Sequence, residues 1–316
     1  MIARLLLTLS PAALLFPQLL LAAPPADAAA SPNELILQPN EPITAGYTHD
    51  NDDVPYIDVT LSAKVRLLPL DWTGRRNRVF LAMSTRFGFY WGTRSGSPVV
   101  GKDYHPELFW RFLTHPDGPS AGSSSPDSRF ADYLDLGYAH ESNGQLVHTP
   151  QQYQNELATL QNAQYADNFI HRGWDYAQLN WHQLYPGDVA TLFEGKYFLP
   201  HGLLQGPPDE YHPWEDNPQG KPRRAVDGLS LQVEYPSESV RSALNTASIF
   251  SRPNITVRYA TGESQPFRYG TVRAEFGFQV LSLPLALWAQ RGYMSDLAMY
   301  YLQVQSYGIE LRFESF

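Results

Sequence analysis

The sequence predicts an all-β fold, a twelve-stranded antiparallel transmembrane β-barrel. Three observations carry that expectation. Apolar and polar residues alternate with a period of two in twelve separate runs. Aromatic residues collect near the ends of several of them. After the first thirty residues, no stretch reaches the roughly 18 to 20 uninterrupted apolar residues that a membrane-spanning helix needs.

The chain has 316 residues, 43% hydrophobic and 13% aromatic, with no cysteine and a formal net charge of -9. That size suits one large β domain or two ordinary ones. Without cysteine there is neither a disulfide scaffold nor a thiolate metal site. The acidic balance and the lack of Lys/Arg clusters argue against nucleic acid as a partner.

Residues 1–30 read as a cleaved export signal. Met1-Ile2-Ala3-Arg4 is followed by an apolar run from Leu5 to Leu21, and small residues place the cut after Ala23 or Ala30. Residues 31–316 are then expected to form a single outer-membrane barrel domain, exported without a helical anchor.

From Ile57 to Leu67 the residues Ile57, Val59, Leu61, Ala63 and Val65 alternate with Asp58, Thr60, Ser62, Lys64 and Arg66, the pattern of a half-buried strand. The pattern returns at Val79–Trp91, Tyr104–Leu113, Tyr133–Ser142, Arg172–Leu184, Thr191–Leu199, Leu229–Tyr235 and Asn254–Tyr259. It then covers Thr271–Val280, Leu285–Arg291 and Gln305–Phe316, with a weaker run at Ile43–His49. Charged residues on every second position argue for a sheet with one wet and one apolar face, as in membrane barrels. Phe89, Tyr90, Trp91, Trp174, Tyr176, Trp181, Tyr185, Tyr300 and Tyr301 are read as girdle aromatics. Gly118 to Ser128, Gln145 to Ile170 and Gly202 to Arg224 read as long polar loops. A soluble β-sandwich also alternates; the signal, the strand lengths and the aromatic ends weigh against it.

The stretch from Tyr133 to Gly144 carries the chemistry. On a strand, Leu134, Leu136, Tyr138, His140 and Ser142 share one face, and Asp135, Gly137, Ala139 and Glu141 share the other. A potential base and a potential nucleophile thus lie two residues apart on the apolar side, which in a barrel faces lipid. An imidazole at that spacing can accept the proton of an attacking serine hydroxyl. Taken alone, the two residues could equally be polar groups at the membrane rim. His105, His148, His182, His201 and His212 lack metal-ligand spacing and read as solvated. Asp50-Asn51-Asp52-Asp53 lacks the Gly and distal Glu of an EF-hand loop and reads as a turn.

Tyr138, His140-Glu141-Ser142-Asn143-Gly144, Arg172-Gly173-Trp174-Asp175, Glu215-Asp216-Asn217-Pro218 and the segment from Gly292-Tyr293 to Phe316 together resemble the outer membrane phospholipase A family. The resemblance runs from about Ile57 onward, with an enlarged loop after Gly144. It implies that His140 is the general base and Ser142 the nucleophile. It also implies an orienting residue directly after a Trp on the next strand, an Asn in the family and Asp175 here.

The resemblance further implies a calcium ion. Asp216 and the main-chain carbonyl of Gln145 fall on ligand positions, His171 stands where the family has a serine, and Ser97 lies beside Gly96, which occupies another serine position. It implies hydrolysis of membrane phospholipids at both acyl positions and of lysophospholipids, in the outer membrane of a bacterium, by a homodimer whose pairing completes the site. Two other readings stay open: a passive outer-membrane channel, and a barrel relative whose catalysis is impaired. Lys64, Arg66, Arg86, Glu107, Arg111, Glu234, Arg258, Arg273, Glu275, Glu310 and Arg312 are expected inside, where paired charges would plug the pore.

Overall fold

The computed structural model describes residues 37–51, 53–68, 73, 76–114, 132–159, 163–187, 189–204, 217, 219–235 and 250–313. Residues 1–30, read as an export signal, with both expected cleavage positions, and Asp216 lie outside these residues. Twelve long strands follow one another: β1 (Ile43–Asp50), β2 (Tyr56–Arg66), β3 (Asn77–Phe89), β4 (Val99–Leu113), β5 (Tyr133–Ser142) and β6 (Gly173–Leu184). The other six are β7 (Ala190–Phe198), β8 (Gly228–Tyr235), β9 (Phe250–Gly262), β10 (Gly270–Val280), β11 (Leu283–Gly292) and β12 (Val304–Phe313). Each pairs antiparallel with its chain neighbours. β12 returns to β1 through pairs from Phe313 with Ile43 to Ser306 with Asp50, and the barrel closes. Closure satisfies every strand edge, which hydrocarbon demands of a spanning sheet. No described helix is long and apolar enough to cross a membrane.

Alternation decides the two faces. Leu61, Leu81, Leu108, Trp110, Leu136 and Trp181 are each exposed by 44–50% on the outside, a wide apolar surface that lipid covers. Tyr47, Tyr104, Tyr197 and Tyr307 stand outward toward one end, and Trp110, Trp181, Tyr185, Tyr235 and Phe313 toward the other. These are the girdles. Trp174, Tyr176, Tyr300 and Tyr301 are not among them. All four are nearly sealed in an interior cluster with Ala139, Phe198 and Leu297. Tyr90 is likewise buried, against Tyr56 and Val100.

Inside, charge is paired. Arg86 meets Asp58 at 2.6 Å, Arg111 meets Asp135 at 2.7 Å, Arg273 meets Glu275 at 2.5 Å, and Arg258 and Arg312 bond Glu194 and Glu275. For the buried Arg111–Asp135 pair, removing one partner typically costs about 3–5 kcal/mol, because the other charge is stranded.

The structure also amends several boundaries. β4 begins at Val99 rather than Tyr104, and β9 extends well beyond Asn254–Tyr259 at both ends. Arg172 precedes β6. The long 145–170 connection holds helix α1 (Pro150–Thr159) and a 3-10 turn (Ala163–Phe169), where only a loop is expected. Leu37–Gln38 pairs with Val65 and Lys64 on β2, so the first strand is preceded by a short segment set off by Pro39-Asn40-Glu41-Pro42. The polar lumen network predicts negligible conductance in planar bilayers; stable open steps like those of a water-filled pore would show that the pairs leave a continuous channel.

Candidate active site

β5 and β6 pair in a register that sets Tyr138 opposite Ala177, His140 opposite Asp175, and Ser142 opposite Gly173. Asp135, Ala139 and Glu141 are buried toward the lumen. Tyr138, His140 and Ser142 therefore face outward, and Asp175 shares that side between the lumen-facing Trp174 and Tyr176. The neighbouring strands place the outward Tyr104 opposite Ser142 and Tyr197 opposite Ala177, so the cluster lies at the height of one aromatic girdle.

Asp175 is completely buried although it sits on the outer wall. His140 Nδ1 lies 2.5 Å from its Oδ1, and the Tyr138 hydroxyl donates to its Oδ2 at 2.5 Å. The main-chain N–H of Leu204 also donates to Oδ2, at 2.7 Å, while that of Leu203 donates to the Tyr138 oxygen at 2.7 Å. The 199–204 segment can approach so closely because residue 202 is glycine: a Cβ there would stand 1.8 Å from Asp175 Oδ2. A carboxylate accepting this many bonds is satisfied without water.

Gly173 leaves a hollow beside the pair. A Cβ built on it would lie 3.4 Å from both His140 Cε1 and Ser142 Cβ, and 3.5 Å from His171 Nε2. The imidazole, the serine and the His171 ring thus surround one small space open on the wall.

The Asn-Gly after Ser142 is a mechanical feature. Asn143 Nδ2 donates to the Ile170 carbonyl at 2.8 Å, and Asn143 Oδ1 accepts from the Arg172 N–H at 2.9 Å. Its side chain thereby prolongs the β5–β6 pairing past the last strand residue. Gly144 turns with φ +59, and a Cβ there would press to 2.9 Å from the Tyr104 ring. Val147 and Ile170 bridge immediately beyond, with the His171 N–H donating to the Val147 carbonyl at 2.8 Å.

Of the four residues expected around calcium, Gln145 and His171 lie on this side of the site. The Gln145 side chain donates to the Gly101 carbonyl at 2.8 Å. Ser97 belongs to a separate turn, where its hydroxyl accepts from the Gly92 N–H at 3.2 Å. The described donors therefore offer no carboxylate and include one imidazole, whereas calcium takes six to eight oxygens, carboxylates prominent among them. The carboxylate position of that set, Asp216, lies outside the described residues.

Tyr138 belongs to the motif legible in the residues, but its bond to Asp175 is visible only in the structure, as are the contacts of Gly202, Leu203 and Leu204 and the bracing role of Asn143. The contacts of residues 202–204 carry no periodic signal.

No protein-family model and no curated protein matches the chain. Solved structures do. Outer membrane phospholipase A from Escherichia coli aligns with a TM-score of 0.58 and 13% identity over 88% of this chain and 98% of that chain. An active-site mutant of the same enzyme gives 0.59 and 13%, over 90% and 95%. The Salmonella typhi outer membrane phospholipase dimer with bound calcium gives 0.59 and 14%, over 89% and 93%. The fold is thus that of an outer membrane phospholipase barrel.

Burial depresses the His171 pKa to about 4, and the nearby His148 and His140 rings push the same way. Since an unfolded histidine titrates near 6.5, the unfolded chain binds more protons between pH 4 and 6.5, and stability falls as pH drops through that window. The urea midpoint of wild type is expected to decline across it more steeply than that of His171→Ala. Parallel declines would show that His171 keeps an ordinary pKa.

Proposed function

We propose that this chain is a bacterial outer-membrane hydrolase that cleaves acyl esters of membrane phospholipids, with Ser142 as nucleophile, His140 as general base and Asp175 as the residue that orients it. The observation that carries this reading is the buried Asp175 carboxylate bonded to His140 Nδ1 on the outer wall, with Ser142 two residues along the same face. A base held by a buried acid beside a serine is the arrangement of Ser-His-Asp hydrolases. Its position on the lipid-facing side, at girdle height, suits a substrate that is the membrane itself. Leu203 and Leu204, 88% and 57% exposed, stand beside it as apolar surface for acyl chains.

In this mechanism Asp175 holds the proton on Nδ1, which leaves Nε2 to receive the Ser142 proton as Oγ attacks the ester carbonyl. The imidazolium, stabilised by Asp175, then protonates the departing glycerol oxygen. Water enters against the same base and releases the fatty acid. Developing negative charge on the carbonyl oxygen needs a donor. The His171 ring, whose Nε2 borders the Gly173 hollow, is the proposed donor. No step is routed through calcium.

As in the calcium-bound dimer of the Salmonella relative, the active form is proposed to be a pair of barrels. A second barrel would cover His140 and Ser142, polar groups that hydrocarbon disfavours. Activity at both glycerol positions and on lysophospholipids belongs to the same proposal.

A sulfonyl fluoride should label wild type and not Ser142→Ala, with phospholipid turnover lost in that variant by at least about 10³-fold. Asp175→Ala should lower turnover by about 10²–10⁴-fold in a barrel that still folds, and Gly202→Ala should act in the same direction by displacing the Asp175 carboxylate. Full activity in folded Asp175→Ala would remove it from the mechanism. From the described donors, turnover is expected to survive chelation of calcium; its loss would mean that Asp216 or a partner subunit completes a metal shell.

A further inference from the structure

We propose that the barrel lumen contains a binding site for a divalent transition-metal ion of the zinc class, formed by His105, Glu107 and Glu41, with Asp103 beside them. Its residues are separate from those assigned to hydrolysis, and it stands or falls independently of that activity.

Strand β4 carries Asp103, His105 and Glu107 at alternate positions, so one face presents two carboxylates and an imidazole in a row. Glu41 comes from the Pro39–Pro42 segment, whose main chain is tied to the wall by the Glu41 N–H on Ser62 Oγ at 2.9 Å. One ligand atom from each of Glu41, His105 and Glu107 lies within 4.8 Å of the others. His105 Nδ1 stands 3.6 Å from Glu41 Oε1 and 3.7 Å from Glu107 Oε1. With the imidazole protonated, both are ion-pair contacts. They are close to the edge of a ligand tetrahedron, about 3.3–3.6 Å for metal–ligand arms of roughly 2.0–2.2 Å.

The supporting contacts are those of a metal site. His105 Nε2 is engaged by the Tyr176 hydroxyl at 2.5 Å, which fixes the ring with Nδ1 toward the carboxylates. Glu107 Oε2 accepts from Gln178 at 2.7 Å, leaving Oε1 to the cluster, where the Asn40 amide also donates to it at 2.6 Å. Outer contacts of this type orient metal-binding imidazoles and carboxylates.

Charge balance asks for a cation. Elsewhere in the lumen Asp58, Asp135, Glu194 and Glu275 each meet an arginine. Among the described residues, none of Glu41, Asp103 and Glu107 forms a salt bridge with Arg or Lys, and Asp103 Oδ1 is buried without a hydrogen-bond partner. The mixed nitrogen and oxygen donor set selects zinc-like ions over calcium. Glu107 is 4% exposed but Glu41 is 46% exposed, and Glu41 borders a cavity of about 160 Å³ shared with Asn40, Lys64, Arg111 and His182. Bound at the cluster, an ion would clamp the segment before β1 to β4.

The test is isothermal titration of the purified, folded full-length chain in detergent micelles with Zn²⁺, and with Ca²⁺ as control. Expected are one zinc per chain, binding at least tenfold weaker in Glu41→Gln, and unaltered binding in Ser142→Ala. Glu41 is half-exposed, so that variant should fold; Glu107→Gln should weaken binding as well. Cobalt(II) should give the ligand-field absorption of a four-coordinate site in wild type and lose it in Glu41→Gln. No zinc binding, equal affinity for calcium, binding unchanged in Glu41→Gln, or binding abolished by His148→Ala, whose ring lies tilted against His171 with centroids 4.4 Å apart, would each overturn the proposal.

Discussion

A sheet that closes on itself in hydrocarbon has one place to keep charge, and that is its interior. Every strand must send alternate side chains to lipid, so each polar residue adopts the inward parity or needs special cover. The pairings of Arg86, Arg111, Arg258, Arg273 and Arg312 with lumen carboxylates follow from that constraint. So does the apolar outer band from Leu61 to Trp181. Against this background, an aspartate and a histidine on the outer wall are exceptions that require a physical account.

Their cover is local. Asp175 is sealed by a chain segment rather than by the sheet: Gly202 permits the approach, Leu204 N–H and the Tyr138 hydroxyl bond one carboxylate oxygen, and His140 takes the other. The position near the strand ends, beside Tyr104 and Tyr197, keeps the group at the depth where a charge on the lipid side costs least. A carboxylate deeper in the wall would meet acyl chains with no loop able to reach it.

Parity makes much of this legible in the residues, and neglect of parity explains the misplacement of Trp174 and Tyr176. The alternation from Leu134 to Ser142 gives the outward set and the inward Asp135, Ala139 and Glu141 as found. The same rule separates Trp174 from Trp181, since they differ by an odd number of positions and cannot both face lipid on a regular strand. Grouping them as girdle residues weighed residue type over position. Tyr300 and Tyr301 were misplaced for another reason: they lie between strands, in a turn that folds back over the barrel interior against Trp174. The short pairing of Leu37–Gln38 was illegible because two residues carry no period. The covering of Asp175 by residues 202–204 depends on a loop path, and loop paths are set by contacts distant in sequence.

The two faces of β5 are mechanically coupled at one residue. Glu141 stands between His140 and Ser142 and points the opposite way. It is bonded by Arg223 and, at 3.2 Å, by Lys196, and both cations also bind Asp227. The Arg223 guanidinium lies 4.6 Å from the Trp174 ring, and Trp174 pairs with Glu141 across the strands. An inward ion cluster packed on an aromatic floor thus fixes the backbone pitch at the one point flanked by both outward groups. The outer wall has no comparable packing to hold them, because lipid gives none. This inner anchor and Asn143 beyond the strand end hold the backbone from which both groups project, while Asp175 fixes the His140 ring on the outer side, so a charge that never touches the outer surface contributes to the alignment there.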